Sequence, residues 1–523
     1  VSGIPNGWVA TSLSEVVFLK TGPFGSALHQ SDYIDGGTPL VNPMHLVEGR
    51  FAPSLGMSIS AEMAERLSEY RLRSGDVVLG RRGEMGRCAV AGSREEGWIC
   101  GTGSLIVRPD QGALSADYLQ RLLTSRSVVD YLLAASVGST MANLNQQHLL
   151  ALKVLLPPIA EQTRIVLKLE ELLSELDAGV AELKAAQKKL KQYRQSLLKA
   201  AVDGSLTAAW RARPENQTPT ETGAQLLARI LQERRARWEA QQLAKFEAQG
   251  KVPPSGWQGK YPEPRIPETA GLPELPRGWV WASVDQLSDE QRYGTSAKTN
   301  QNADGVPVLR MGNIQDGELD TSNLKFLPQD HHEIPSLLLR DGDLLFNRTN
   351  SPELVGKSAV YRSQIAPCSY ASYLIAVRFP FGVSAEFVSA VINSAYGRSW
   401  VKAVVTQQVG QANVNGSKLA ALPIPVPPLA EQYEIERALS ELRSSVSHQE
   451  RNVVRSLKQS TAQRQNILRA AFSGQLVPQD PADEPASMLL ARIRAEREAA
   501  QAGRKPAAGV RAKQRKNVLK ESA

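Results

Sequence analysis

The sequence predicts an α+β architecture: two similar mixed α/β globular domains separated by two long helices that pack as an antiparallel coiled coil. Three observations carry this. The segment Pro157-Pro158-Ile159-Ala160-Glu161-Gln162 returns 270 positions later as Pro427-Pro428-Leu429-Ala430-Glu431-Gln432. The segment from Gln195 to Leu206 returns at the same offset as Gln465 to Leu476. Between these segments apolar residues recur in alternating steps of three and four. Self-similarity held in register over such a distance makes the chain a pseudo-two-fold internal repeat, and the helical period gives each copy one long helix.

The first domain, residues 1–158, and its counterpart, 278–428, share motifs whose offset drifts. Gly7-Trp8-Val9 matches Gly278-Trp279-Val280, Leu72-Arg73-Ser74-Gly75-Asp76 matches Leu339-Arg340-Asp341-Gly342-Asp343, and Gly86 to Val90 matches Gly356 to Val360. Insertions and deletions are therefore confined to the domains, where loops tolerate them and often carry function. Apolar runs such as Val77-Val78-Leu79 and Leu374 to Arg378, set among Gly- and Asp-bearing turns, read as strands.

Each double proline marks a boundary, because proline suits a first helical turn while pushing its predecessor out of helical geometry. The segments that follow, 159–250 and 429–502, open with helices whose apolar stripes include Ile165, Leu169, Leu172 and Leu176, and Ile435, Leu439, Leu442 and Val446. Forty-odd residues span roughly 60 Å, too long for one small domain to bury, so each stripe needs a partner; the other copy's helix is the expected one, and packing of each helix on its own globule is the alternative. A shorter helix containing Leu-Leu-Ala-Arg-Ile ends each segment (226–230 and 489–493). Seven prolines between Val252 and Arg277 make 251–277 an extended, semi-rigid linker. Residues 503–523 read as a basic, disordered tail.

That tail holds most of the net charge of +8, with seven Lys or Arg against one Glu, so the rest of the chain is close to neutral and charge alone is weak evidence for a nucleic-acid partner. Three cysteines without CxxC spacing support neither a disulfide framework nor a zinc site. No run approaches the ~18 apolar residues of a membrane span. These features predict a soluble, unexported protein of a reducing cytoplasm with no membrane partner.

A catalytic constellation is not evident. Val355-Gly356-Lys357-Ser358 lacks the upstream glycine of a phosphate loop, having Ser351 there, and reads as a turn. His331-His332 has no second ligand pair at metal spacing. Asp343 with Glu353 and Lys357 loosely resembles a nuclease cluster, but the first copy offers only Asp76, Glu84 and Arg87. Dinucleotide-binding glycines and an Asn-Pro-Pro-aromatic methyltransferase run are absent from the sequence. No catalytic, cofactor-binding or metal-binding residue is assigned.

The order of these strings, Gly-Trp at each domain start, Leu339 to Phe346, Val355 to Ala359, Leu198 to Thr207, and the two Pro-Pro-Ile/Leu-Ala-Glu-Gln segments, resembles the specificity subunit of type I restriction-modification enzymes. The resemblance implies that each domain is a target recognition domain reading one half of a split, asymmetric site in double-stranded DNA. It implies that the long helices set the gap between halves and dock two methyltransferase subunits, with restriction/translocase subunits in the full complex. Adenine-N6 methylation and ATP-dependent cleavage, with S-adenosylmethionine, ATP and Mg2+, would then reside in those partners. Base edges are read by Arg, Lys, Asn and Gln side chains. Candidate readers are Arg81, Arg82 and Arg87 against Asn347, Arg348, Asn350 and Lys357 in one loop. Asn42 and His45 stand against Arg310 and Asn313 in a second, and Asn143, Asn145 and Gln146 against Gln411, Asn413 and Asn415 in a third. A structural coiled-coil scaffold with protein-binding globules, or a self-contained nuclease, are the competing readings.

Overall fold

The computed structural model describes residues 3–23, 27–54, 56–135, 144–352, 354–408 and 411–503. The chain folds as two compact units that do not follow chain order. Unit 1 holds Val1–Leu183 together with Val454–Ala523, and unit 2 holds Lys184–Val453. The boundaries themselves, 183 and 453, lie one repeat apart. Helices α1 (Ile159–Val202) and α3 (Leu429–Phe472) are each 44 residues long, about 65 Å, and start and stop at equivalent positions. Shorter helices α2 (Gly223–Ala248) and α4 (Ala486–Gly503) follow them.

In unit 1 a four-stranded antiparallel sheet forms from β1 (Val17–Thr21), β2 (Val77–Gly80), β3 (Cys88–Val90) and β4 (Ser104–Pro109), in the order β1-β4-β2-β3. Side chains alternate across a strand, so the sheet has two apolar faces. Val77, Leu79, Leu105 and Val107 face a core shared with Ile165 and Leu169 of α1, while Val78, Ala89 and Ile106 face a second cluster with Val41, Leu46 and Cys100. The second cluster is capped by a smaller mixed sheet in which Thr38–Val41 runs parallel to Ile99–Cys100. Val9–Ser12 pairs antiparallel with Lys153–Leu156, bringing the start of the globule to the double proline.

Unit 2 repeats this plan with β5 (Glu290–Tyr293), β6 (Leu344–Asn347), β7 (Ser358–Val360) and β8 (Leu374–Arg378), in the order β5-β8-β6-β7. Leu344, Phe346, Ile375 and Val377 face the helices, and Leu345, Ala359, Leu374 and Ala376 face the other way. A further three-stranded sheet, Thr349–Asn350, Gln411–Asn413 and Thr406–Gln408, has its centre at 411–413.

The helix pairing expected from the apolar stripes occurs inside each unit. In unit 1 the first half of α1 lies with the second half of α3, where Asp177 pairs with Arg464 and Leu169 shares a core with Ala471. In unit 2 the second half of α1 lies with the first half of α3, where Arg194 pairs with Glu450 at 2.6 Å. Start against end in both cases makes the pairing antiparallel.

The short helices cross over as well. Leu226 and Ile230 of α2 are buried with Trp279, Val426 and Phe387 of the second globule. Leu489, Leu490 and Ile493 of α4 are buried with Trp8, Leu156 and Tyr118 of the first. The amide of Gly223 donates to the Gly278 carbonyl and that of Ala486 to the Gly7 carbonyl, so each helix start is tied to a Gly-Trp motif. Each globule is therefore completed by the helical end of the other copy.

The proline-rich linker is not a bare spacer. Trp257 stacks on Trp238 of α2 with centroids 5.8 Å apart, Tyr261 packs edge-on against the same ring, and the Arg265 amide donates to Asp285. Aromatic side chains among the prolines give the extended chain an apolar grip that composition averages hide. The tail, 504–523, lies outside the described residues.

Candidate nucleic-acid interface

The repeated motifs turn out to build the frame that holds the loops. The Trp8 indole donates to buried Glu161 at 3.0 Å, and the Trp279 indole to buried Glu431 at 2.8 Å. The next residue, Gln162 or Gln432, donates to its own double proline and accepts the amide of Ser115 or Ser384. A buried carboxylate needs such partners. Glu431 gains two more from the end of the first copy, Thr207 at 2.7 Å and Arg211. Gly204 and Gly474 sit there at φ of +73° and +71°, and a Cβ on either would meet the ring of Pro276 or Pro5 at under 3 Å. Glycine is required at both places by conformation and by space.

The Leu-Arg-x-Gly-Asp motif is equally structural. Buried Asp76 takes a two-pronged contact from Arg108 at 2.6 and 2.7 Å, and buried Asp343 takes one from Arg378 at 2.8 and 2.7 Å. With both oxygens engaged by arginine, and backbone amides of Arg73 and Arg340 added, these carboxylates hold β2 to β4 and β6 to β8. The nuclease-like arrangement gains nothing from them. Glu353 lies outside the described residues.

This frame brings the three predicted loops together at one end of each globule. In unit 1 the Arg81 amide donates to Gly103, the Leu144 amide donates to Arg81, and the Gly101 amide donates to Val41. In unit 2 the same lattice recurs, with Arg348 donating to Tyr373, Val414 to Arg348, and Ala371 to Leu309. Loop positions 41–42, 81, 101–103 and 144 thus match 309–310, 348, 371–373 and 414, contact for contact.

Within that lattice the candidates differ. Arg82 and Arg87 are exposed, Arg87 in a surface ion pair with Glu84, and Arg81 is half-buried. Burial, and then the neighbouring Arg82 charge, draws the Arg81 pKa down. Asn145 caps a short helix through the Gln147 amide, and the Gln146 side chain donates to Thr21. Arg348 is half-buried, and Asn350 accepts the Ser351 amide. Asn413 donates to Thr349, Asn415 caps Gly416–Ala420, and Lys357 contributes its carbonyl to the Asn347 amide. Gln411 lies in the central strand of the small sheet, and Asn143 lies outside the described residues.

Asn347, His45 and Asn313 are not on the surface. Asn347 is buried and donates to the Leu354 carbonyl. The His45 ring nitrogen Nδ1 accepts the Asn42 amide at 3.2 Å, and Asn313 Oδ1 accepts the Arg310 amide at 2.8 Å. His45 and Asn313 do the same work, closing a one-turn 3-10 helix from within. Arg310 reaches the Asn323 carbonyl at 3.2 Å. Two residues missed by the sequence reading also stand in the lattice, Tyr293 and Tyr373, both about half exposed. An aromatic residue just before the strand-ending glycine, Gly294, was the available signal.

The family model for the type I restriction modification DNA specificity domain matches residues 5–188 and 395–456. The EcoKI specificity subunit of Escherichia coli K12 is 25% identical over 520 residues, covering 96% of this chain and 98% of that one. The chain is similar to type I restriction-modification specificity subunits over nearly its whole length. A second relative, the StySPI specificity subunit of Salmonella potsdam, is 23% identical over 512 residues, 94% of this chain and 96% of its own. A solved chain, described under complex assembly and conformational transition of the type I R-M system, superposes with a TM-score of 0.61 at 18% identity, covering 91% of this chain and all of that one. It shares the fold. The α+β repeat with paired long helices is thus a fold shared with that solved chain, and no helix among the described residues is long and apolar enough to cross a membrane.

Proposed function

We propose that the chain is the DNA sequence-specificity subunit of a type I restriction-modification complex and has no catalytic role of its own. The observation that carries this is the loop lattice: one scaffold repeated in two units, presenting Arg81, Arg82 and Arg87 in one and Arg348, Asn350 and Lys357 in the other. Equal frames with unequal side chains suit two different half-sites, so the target is bipartite and asymmetric, one half per globule. Base-edge readout in the major groove uses these side-chain types, while phosphate contacts set affinity and its salt dependence.

Two methyltransferase subunits and the restriction/translocase subunits are the partners in this reading, and the subunit's work is to bring them to the site. Adenine-N6 methylation and ATP-dependent cleavage, with S-adenosylmethionine, ATP and Mg2+, belong to those subunits, and no residue of this chain is assigned to them. Footprinting of DNA with the chain and its methyltransferase partner tests the proposal. Protection of two separated segments of different sequence is expected; one uninterrupted segment, or none, would overturn it.

A further inference from the structure

Arg348 is held through both its backbone and its side chain. Its amide donates to the Tyr373 carbonyl at 3.0 Å and its own carbonyl accepts the Val414 amide at 2.9 Å, so its backbone is fixed between two loops. Its side chain is fixed as well. Nη1 donates to the Ser372 carbonyl at 3.1 Å, and the guanidinium carbon lies 4.9 Å from the centroid of the Tyr293 ring. Tyr293 is itself anchored, because its hydroxyl accepts the Gly416 amide at 2.7 Å. The ring remains 47% exposed, so the stacked pair sits at the surface of the loop end.

Fixing an arginine in advance matters for recognition. Free in solution, an arginine side chain loses rotamer entropy when it is ordered, and a planar guanidinium already held by one hydrogen bond and one aromatic face loses less. With Nη1 on Ser372 and one face on Tyr293, the guanidinium keeps Nη2 for an acceptor. Guanine O6 and N7 offer such acceptors in the major groove. The first copy lacks the ring. The equivalent of Tyr293 is Thr21, placed by the Gly22 amide bonding to Ser104 as Gly294 bonds to Leu374, and Thr21 is held by Gln146, the counterpart of Gly416.

We infer that Tyr293 is a positioning residue for sequence recognition: by stacking on Arg348 it aims that guanidinium at one base pair of the half-site read by unit 2. This rests on the proposed half-site reading. Tyr293 acts through Arg348, and its effect is confined to one base-pair position.

The test is competition binding by the full chain with its methyltransferase partner, using duplexes substituted at each position of both half-sites. Tyr293→Leu is expected to reduce discrimination at one position of one half-site roughly tenfold, the scale of a single base contact. Arg348→Ala should relax the same position, and the double variant should add nothing further. Tyr293→Phe, which keeps the ring, should restore discrimination, and the salt dependence of binding should not change in Tyr293→Leu. Uniform weakening across all positions, relaxation at a position other than that of Arg348→Ala, or loss in Tyr293→Phe equal to that in Tyr293→Leu would each overturn the inference. If Tyr293→Leu does not fold, Tyr293→Thr, which copies the residue of the first repeat, takes its place with the same expected and overturning outcomes. A wild-type profile without two half-sites would instead sink the underlying functional reading.

Discussion

His45 shows how a side chain of reading type becomes a structural one. In the sequence it occupies the position of Asn313, and in the structure both accept a backbone amide and close the same turn. An imidazole can do this only through an unprotonated nitrogen. Burial lowers its pKa below the ordinary 6.5. The unfolded chain therefore binds the proton first as pH falls, and the stability contributed by neutral His45 is complete above 6.5 and is lost below it. His45→Asn, which copies the second repeat, should flatten the decline in thermal stability below pH 6.5 relative to wild type; an unchanged slope would show that the ring is not the group responsible. Candidates of the right chemistry were legible from the sequence at Arg81, Arg82 and Arg348. Which of them turn inward was not, because Asn and His serve turns and base edges with the same atoms.

At the level of elements, the starts and rough lengths of the two long helices were legible, since an apolar helical period opening on a double proline leaves little freedom. The strands were legible where apolar runs met Gly-Asp turns, as at Val77 and Leu374. What the sequence did not reveal was which globule each short helix covers, because Leu-Leu-Ala-Arg-Ile is apolar on the same face in both copies and either core would accept it. The Gly7 and Gly278 carbonyls settle the matter by receiving Ala486 and Gly223. Leu226→Ala, at a fully buried position, should destabilise unit 2 by about 2–5 kcal/mol. Hydrogen exchange should then rise in the globule of residues 278–428 while amides of the first globule keep their protection; equal loosening of both would contradict the crossed packing.

For the whole molecule, unit 2 is one continuous stretch and unit 1 is assembled from two, 1–183 and 454–503 within the described residues. A fragment spanning 184–453 should unfold cooperatively by itself. A fragment of 1–183 should not, because its core lacks Ala471, Leu489, Leu490 and Ile493, and it should gain a cooperative transition when 454–503 is supplied as a separate peptide. Circular dichroism melts of the three samples check this, and a sharp transition in 1–183 alone would refute it.

The crossed helical ends also set an order in time. Residues 1–158 leave the ribosome before the rest of this sequence, yet α4 is not complete until residue 503, and at ~5–20 residues per second that delay is roughly 20–70 s. Unit 2 meets all of its parts earlier, although its globule is encoded later. The apolar patch around Trp8, Tyr118 and Leu156 that α4 and the end of α3 come to cover is open throughout that interval. During synthesis, then, of the two globules the earlier to appear is the later to close.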